Sequence, residues 1–186
     1  MVKSMTSKED QNPKLVSPAD YIGAISRHVS SVCVITTELN GERFGLTATA
    51  VSSVSAEPPR LLICVNRNGF THQKIIEAKK FCVNVLGEDQ DPIAKVFAGM
   101  SDIGEDRFAI GNWEKFVTGA PVLADAVASF DCVLAEISEQ SSHSVIFGDV
   151  VATGGTDGRD TLLYGGRRFR QLRSIYQGQN GYGEYL

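Results

Sequence analysis

The sequence lacks most of the signatures that announce a nucleotide enzyme. It has no Gly-x-Gly-x-x-Gly stretch and no Walker sequence, so any nucleotide is held in neither a Rossmann nor a P-loop manner. Histidine is scarce: His28, His72 and His143 are the three, and they do not stand at zinc spacing. No Cys-x-x-Cys pair occurs. Cys33, Cys64, Cys82 and Cys132 each sit in an apolar, β-rich run and read as reduced thiols filling a core. No apolar run approaches the ~20 residues of a membrane span, which argues against a membrane partner. A formal net charge of -4 gives no reason to expect nucleic acid. There is no internal repeat, low-complexity tract or linker, so residues 17–186 read as one domain. Met1 to Pro13 is polar without the apolar centre of a secretory signal, and residues 1–16 read as a flexible tail of a cytoplasmic protein.

What is present is a chain of short β-rich segments. Ser17-Pro18 reads as a helix start, with Tyr21, Ile22, Ile25 and Val29 at helical spacing over about 18–29. A strand follows from Val32 to Leu39. Asn40-Gly41 is a strong hairpin signal, because both residues tolerate positive φ. The return strand reads as continuous from about Arg43 to Ser55. Glu57-Pro58-Pro59 breaks the chain, and Arg60 to Val65 is another strand. Thr71 is placed to cap a helix carrying Ile75 and Ile76, Phe81 to Leu86 is a strand, and Asp89 to Ala98 is a helix. Gly99 to Gly119 reads as irregular and holds the single tryptophan, Trp113. The last third is β: 128–138, 143–153, 161–164 and 167–172, with turns at Asp157-Gly158 and Gly165-Gly166. The expected fold is mainly β, an antiparallel closed barrel with a few short flanking helices.

Four segments carry chemistry. Gly45-Leu-Thr-Ala-Thr-Ala-Val-Ser-Ser-Val-Ser55 is loaded with small and hydroxylated residues. A flat ring can lie against such a strand while backbone N–H groups and hydroxyls address its polar edge, as an isoalloxazine requires. The plain alternative is an edge strand with a solvated Thr/Ser face. The loop from Asn66 to Thr71 enters a helix whose free N–H groups suit a phosphate, with Asn68 and Thr71 as added donors. His143 stands at the turn before a long strand, where it either meets solvent or touches a pyridine nucleotide. His28 and His72 read as structural or solvated. Arg167-Arg-Phe-Arg170 and Arg173 form a basic end, one of whose arginines could meet a dinucleotide phosphate.

Five stretches in register resemble the short-chain flavin reductases, the small reductase components of two-component flavin monooxygenases. They are 45–55 with Pro58-Pro59; Cys64-Val-Asn-Arg-Asn68 with Thr71; Phe81 to Leu86; Asp106-Arg-Phe108 with Trp113 and Gly119 to Leu123; and His143 to Val150 with Leu162-Leu-Tyr164. The resemblance implies a flavin-binding split β-barrel that assembles as a homodimer. It implies that Thr47, Ala48, Thr49, Ser52 and Ser53 border the isoalloxazine and ribityl chain of FAD or FMN. Asn66, Asn68 and Thr71 would serve the phosphate, and Phe97 would support the flavin tail. His143, Tyr164 and Phe169 would meet NADH or NADPH. Hydride would pass from nicotinamide to flavin, and the reduced flavin would leave for a separate oxygenase, an aromatic hydroxylase. One departure stands out: the family has Gly-Asp before the histidine, and here Ser141-Ser142 stand there, which puts the turn shape and nucleotide orientation in question. The competing readings are a tightly flavinated oxidase on the same barrel, resembling the pyridoxamine-phosphate oxidases, and a non-catalytic flavin-binding protein.

Overall fold

The hairpin at Asn40-Gly41 forms as its chemistry demands: both residues hold positive φ, 54° and 84°, and join β2 (Cys33–Leu39) to β3 (Glu42–Ala48). This computed structural model describes residues 13–101 and 106–172. Most of the expected tail and Arg173 lie outside the described residues. Ahead of the hairpin are helix α1 (Pro18–Ile25), capped by the Ser17 hydroxyl, and the short β1 (Ser30–Ser31). After it come β4 (Val51–Ala56), β5 (Pro59–Asn66), α2 (Phe70–Ala78), β6 (Lys80–Val85) and α3 (Asp91–Phe97). The chain ends on a small hairpin, β7 (Trp113–Lys115) and β8 (Pro121–Leu123), the long β9 (Ala128–Gln140) and β10 (His143–Gly154), and finally β11 (Leu163–Gly165) and β12 (Arg168–Arg170).

Seven strands form one antiparallel sheet in the order β3-β2-β6-β9-β10-β5-β4. Its two edges, β3 and β4, are consecutive in the chain with only Thr49 and Ala50 between them. The three steps from Ala48 to Val51 span at most about 11 Å, so the sheet must curl until its edges come together. Ala50 then accepts a hydrogen bond from the Cys64 amide on β5 (3.0 Å). No ladder joins β3 to β4, and the barrel stays split. The single return strand expected over 43–55 is therefore two strands. The break leaves Thr49 and Ala50 exposed.

The interior of the barrel is filled by Ile35, Ile63, Val65, Phe81, Val83, Cys132 and Ile146, and α2 plugs it with Ile75. A second core lies outside the sheet under α3, where Phe97 meets Phe108 and Trp113 at ring separations of 5.0 and 5.5 Å. Asn84, fully buried on β6, ties the sheet to the β7–β8 flap. Its amide donates to the Val34 carbonyl (3.1 Å), and its oxygen accepts from the Leu123 amide (2.8 Å) and the Ser129 hydroxyl (3.2 Å). Such a saturated network fixes one arrangement of the core. Burial raises three thiols far out of the reactive range, Cys33 and Cys132 to about 12 and Cys82 further still. Their expected role as core fillers fits.

Several local expectations shift. Helix α1 stops at Ile25, and none of its residues is buried. Gly69, not Thr71, is the N-cap of α2; Thr71 lies inside the helix, buried, and its hydroxyl donates to the Gly45 carbonyl (3.2 Å). The last turn is one residue later than read: Gly166 and Arg167 carry positive φ, 63° and 61°.

Candidate functional site

Strand alternation on β5 builds the site. Leu61, Ile63 and Val65 point into the barrel, so Leu62, Cys64 and Asn66 face outward. Directly across on β10, Phe147, Val145 and His143 share that outer face. Over Leu62 and Cys64 opens a cleft of about 500 Å³. Its floor and one wall are Leu62, Cys64, Ala50 and Val51, with the Thr49 and Ser52 hydroxyls on the rim. The opposite wall comes from Ile25, Ser26, His28 and Ser30, together with Tyr164 and Arg167. These two groups meet because β1 pairs with β11, setting Ser30 beside Tyr164.

One strand repeat beyond Cys64, about 6–7 Å along, Asn66 and His143 stand side by side at the end of the same face. The Asn66 side chain accepts from the Asn68 amide (2.9 Å), which folds the loop back toward α2. Among the described residues no side chain caps the first turn of α2, so the phosphate expectation for this loop keeps its free N–H groups. Ser141 adopts the left-handed conformation, φ 44°, that glycine favours, and the Ser142 hydroxyl lies 2.8 Å from His143 Nδ1. Serine thus keeps a tight turn where the family carries glycine, and the next hydroxyl orients the imidazole.

Behind this loop, His72 Nε2 is 2.9 Å from the Ser144 hydroxyl while Nδ1 is buried without a partner. Burial, then the Arg67 guanidinium, hold this imidazole below the ordinary histidine range, with Glu139 opposing. His72 lines a depression with Asn68, Arg67 and Glu139, apart from the main cleft.

The expected site residues separate into three groups. Thr49, Ser52 and Tyr164 line the main cleft, and Asn66, Asn68 and His143 sit at or beside its β5 end. Ser53 lines a different depression, with Arg60, Leu61 and Phe130. Thr71, largely buried, borders a separate depression with Arg43, Phe70 and Arg107, and Thr47, Ala48, Phe97 and Phe169 stand behind the surface. The Thr47 hydroxyl donates to the Ala94 carbonyl of α3 (2.7 Å), and Ala48 packs on the barrel interior. Phe97 belongs to the outer core, and Phe169 supports Tyr164 edge-on at 5.5 Å. Sequence reasoning missed Ile25, Ser26, Ser30 and Cys64 as lining groups, and it read His28 as structural or solvated. The alternation along β5 could have found Cys64. Nothing local signals the β1–β11 pairing that brings in the others.

Comparison with known proteins adds three findings. Residues 25–173 match the family described as flavin reductase like domain. A protein of Methylorubrum extorquens (strain PA1) named FMN reductase (NADH) RutF 1 is 42% identical over 168 residues, covering 90% of this chain and 83% of its own. The protein of that name without the numeral from Pseudomonas syringae pv. syringae (strain B728a) is 41% identical over 159 residues, covering 86% of this chain and 89% of its own. Among solved structures, the Streptomyces globisporus C-1027 NADH:FAD oxidoreductase SgcE6, in complex with NAD and FAD fragments, superposes with a TM-score of 0.79. It is 31% identical, covering 89% of this chain and all of that one.

Proposed function

Because the chain belongs to the flavin reductase-like family, we propose that its cleft brings NADH and an oxidised flavin into contact and releases the reduced flavin to a separate oxygenase. The enzyme is an oxidoreductase, an NADH-dependent flavin reductase acting on FMN or FAD. The observation that carries the site reading is the cleft over Leu62 and Cys64. Its volume of about 500 Å³ lies within the ordinary range for small-molecule sites, and an apolar floor with a hydroxylated rim fits a flat ring with a polar edge.

In this reading Leu62, Cys64, Ala50 and Val51 contact the ring face and exclude water. Thr49 and Ser52 address its polar edge. Asn66 and Asn68, with the free N–H groups of α2, receive the phosphate. His143 and Tyr164 serve the nicotinamide side, and Phe169 holds Tyr164 in place. Thr47, Ala48, Thr71 and Phe97 position the strand rather than touch ligand. Ser53 stays at the margin, in the neighbouring depression. The bound flavin supplies the hydride acceptor, so the protein contributes alignment and a water-poor surface, not a proton relay.

A homodimer is part of the same proposal. α1 leaves Tyr21, Ile22 and Ile25 exposed at 58, 52 and 48%, and Val133 and Val151 are exposed on the long hairpin. Sedimentation showing a monomer at micromolar concentration would overturn it. The finer identity of the oxygenase, an aromatic hydroxylase, is tested by co-purified or reconstituted hydroxylation of a phenol; no product beside a working reductase would reject it.

The decisive assay is NADH oxidation with and without added FMN or FAD. Turnover that requires added flavin establishes flavin as a diffusible substrate. Turnover without it, from a yellow protein, favours the tightly flavinated oxidase. No turnover with NADH or NADPH rejects the reductase reading.

A further inference from the structure

The cleft wall opposite the flavin floor carries two cationic or polar groups that the reading above does not use. We propose that Arg167 and His28, flanking Tyr164, bind a phosphoryl group of the pyridine nucleotide and are specificity-determining residues for it. This rests on the reductase reading of the cleft.

Arg167 occupies an unusual place. It is the second residue of the β11–β12 turn, where both central residues hold positive φ and glycine or asparagine is favoured. A long cation held left-handed is a local conformational cost, and among the described residues no side-chain hydrogen bond or ion pair of Arg167 offsets it. It is exposed and lines the cleft. Four other arginines serve structure, Arg43, Arg60, Arg67 and Arg159 pairing with carboxylates; Arg27, Arg107 and Arg168, like Arg167, pair with none among the described residues, but only Arg167 lines this cleft. Arg170 turns back to donate to the Gly165 carbonyl (2.8 Å) and closes the far side of the same turn. Among the described residues no carboxylate pairs with Arg167. A strained, unpaired cation at a cleft mouth points to a ligand.

The turn is not a free loop. Gly166 donates to the Ser26 carbonyl (2.7 Å), and a Cβ at Gly165 would fall 2.7 Å from the Val29 side chain and 3.3 Å from the His28 carbonyl. Glycine at 165 therefore lets the turn seat directly on the segment that carries His28. The His28 ring is oriented in turn: its Nδ1 lies 3.0 Å from the Ser30 hydroxyl, which leaves Nε2 for a ligand. Ser30 is the cross-strand neighbour of Tyr164. One rigid unit thus presents a guanidinium, an imidazole nitrogen and an aromatic ring to the cleft, facing Thr49, Ser52 and Cys64. A guanidinium and an imidazole beside an aromatic face are the donors that a phosphate attached to a stacked ring requires.

Both substrates carry phosphate, and the test separates them. Arg167→Gln, Arg167→Lys, Arg167→Gly and His28→Asn are compared with the parent, and Arg168→Gln, exposed on β12 outside the cleft, is the control. Steady-state rates are measured with NADH against FMN and against riboflavin, which has no phosphate. The expected result is a rise of about tenfold in KM for NADH in Arg167→Gln, with kcat within about twofold. Arg167→Lys should recover part of the loss. Arg167→Gly, which relaxes the turn, should be as impaired as Arg167→Gln. The rise should persist when riboflavin replaces FMN. An effect that vanishes with riboflavin assigns the residue to the flavin phosphate and overturns the proposal. An unchanged KM for NADH in Arg167→Gln and His28→Asn overturns it while the parent's turnover leaves the reductase reading standing. A parent that never oxidises NADH defeats that reading first.

Discussion

Replacing Gly45 with alanine probes how rigidly α3 holds the strand that leads into the cleft. A Cβ built there would lie 2.6 and 2.8 Å from two Phe97 ring atoms and 3.3 Å from the Ile35 carbonyl. Ordinary carbon contacts begin near ~3.5 Å, so strand and ring must part by about 1 Å. The ring cannot yield easily. It is 2% exposed and boxed in by Phe108 and Trp113. The strand is held as well, by the Thr47 hydroxyl on the Ala94 carbonyl and the Thr71 hydroxyl on Gly45 itself. Overpacking of this kind costs about 1–3 kcal/mol. In a chain of this length that lowers the melting temperature by about 2–12 °C. Because Thr49 follows β3 by one residue, the displaced strand should also weaken flavin binding. The assay is thermal melting with a flavin fluorescence titration, on Gly45→Ala, Phe97→Leu and the double variant. Phe97→Leu alone loses aromatic contacts of about 0.5–1.5 kcal/mol per pair. The double variant should then be less destabilised than the sum. An unchanged melt in Gly45→Ala, or strict additivity, would refute the packing argument.

Asn84→Leu leaves the Leu123 amide without its acceptor and removes the Ser129 hydroxyl's partner in the core, and should cost about 2–5 kcal/mol; a loss under about 1 kcal/mol in urea unfolding would show that the network relaxes without it. The Arg60 hydrogen bond holds the Asp149 carboxyl below the usual carboxylate range, with burial opposing. Its folded pKa is below its unfolded one, so its stabilisation is complete above the unfolded value and lost as pH falls through the folded value. Asp149→Asn should therefore flatten the acid limb of stability between about pH 5 and pH 2, and an identical limb would contradict the assignment. His143→Ala should raise KM for NADH about tenfold while sparing flavin affinity; lost flavin affinity or an unchanged KM would move His143 out of the nucleotide site.

The strands were legible wherever local chemistry decides them. Asn40-Gly41 dictated its hairpin, and the apolar run 60–65 was legible as a strand, though not which of its residues face inward. Thr47 and Ala48 come to the flavin ring only through the family resemblance. In the fold one is tied to α3 and the other faces the barrel interior, so a bulky residue at 48 would test core packing before flavin binding. The break at Thr49-Ala50 was invisible, since it carries no Gly, Pro or charge. Barrel closure, a property of the whole sheet, imposes it.

The cleft itself makes the larger point about what a sequence can carry. Its floor is local, the Thr49-Ala50 link and the β4–β5 hairpin, and two of the five stretches that resemble flavin reductases fall there. Its opposite wall exists only because β1 meets β11 across the length of the chain, knitted by the Val32 amide to the Leu162 carbonyl and the Leu162 amide to the Leu86 carbonyl. A hydride-transfer site needs two such walls, since two flat partners must be aligned and each needs its own contacts. The flavin wall uses residues whose types suggest it. The other wall draws on a histidine read as structural or solvated and an arginine lost among three others in a basic stretch, and their significance appears only when the turn at Gly166-Arg167 is seen seated on Ser26. If the Arg167 substitutions leave NADH binding intact, that wall is only the frame of the cleft, and the nucleotide must take its contacts from His143 and the β5 end.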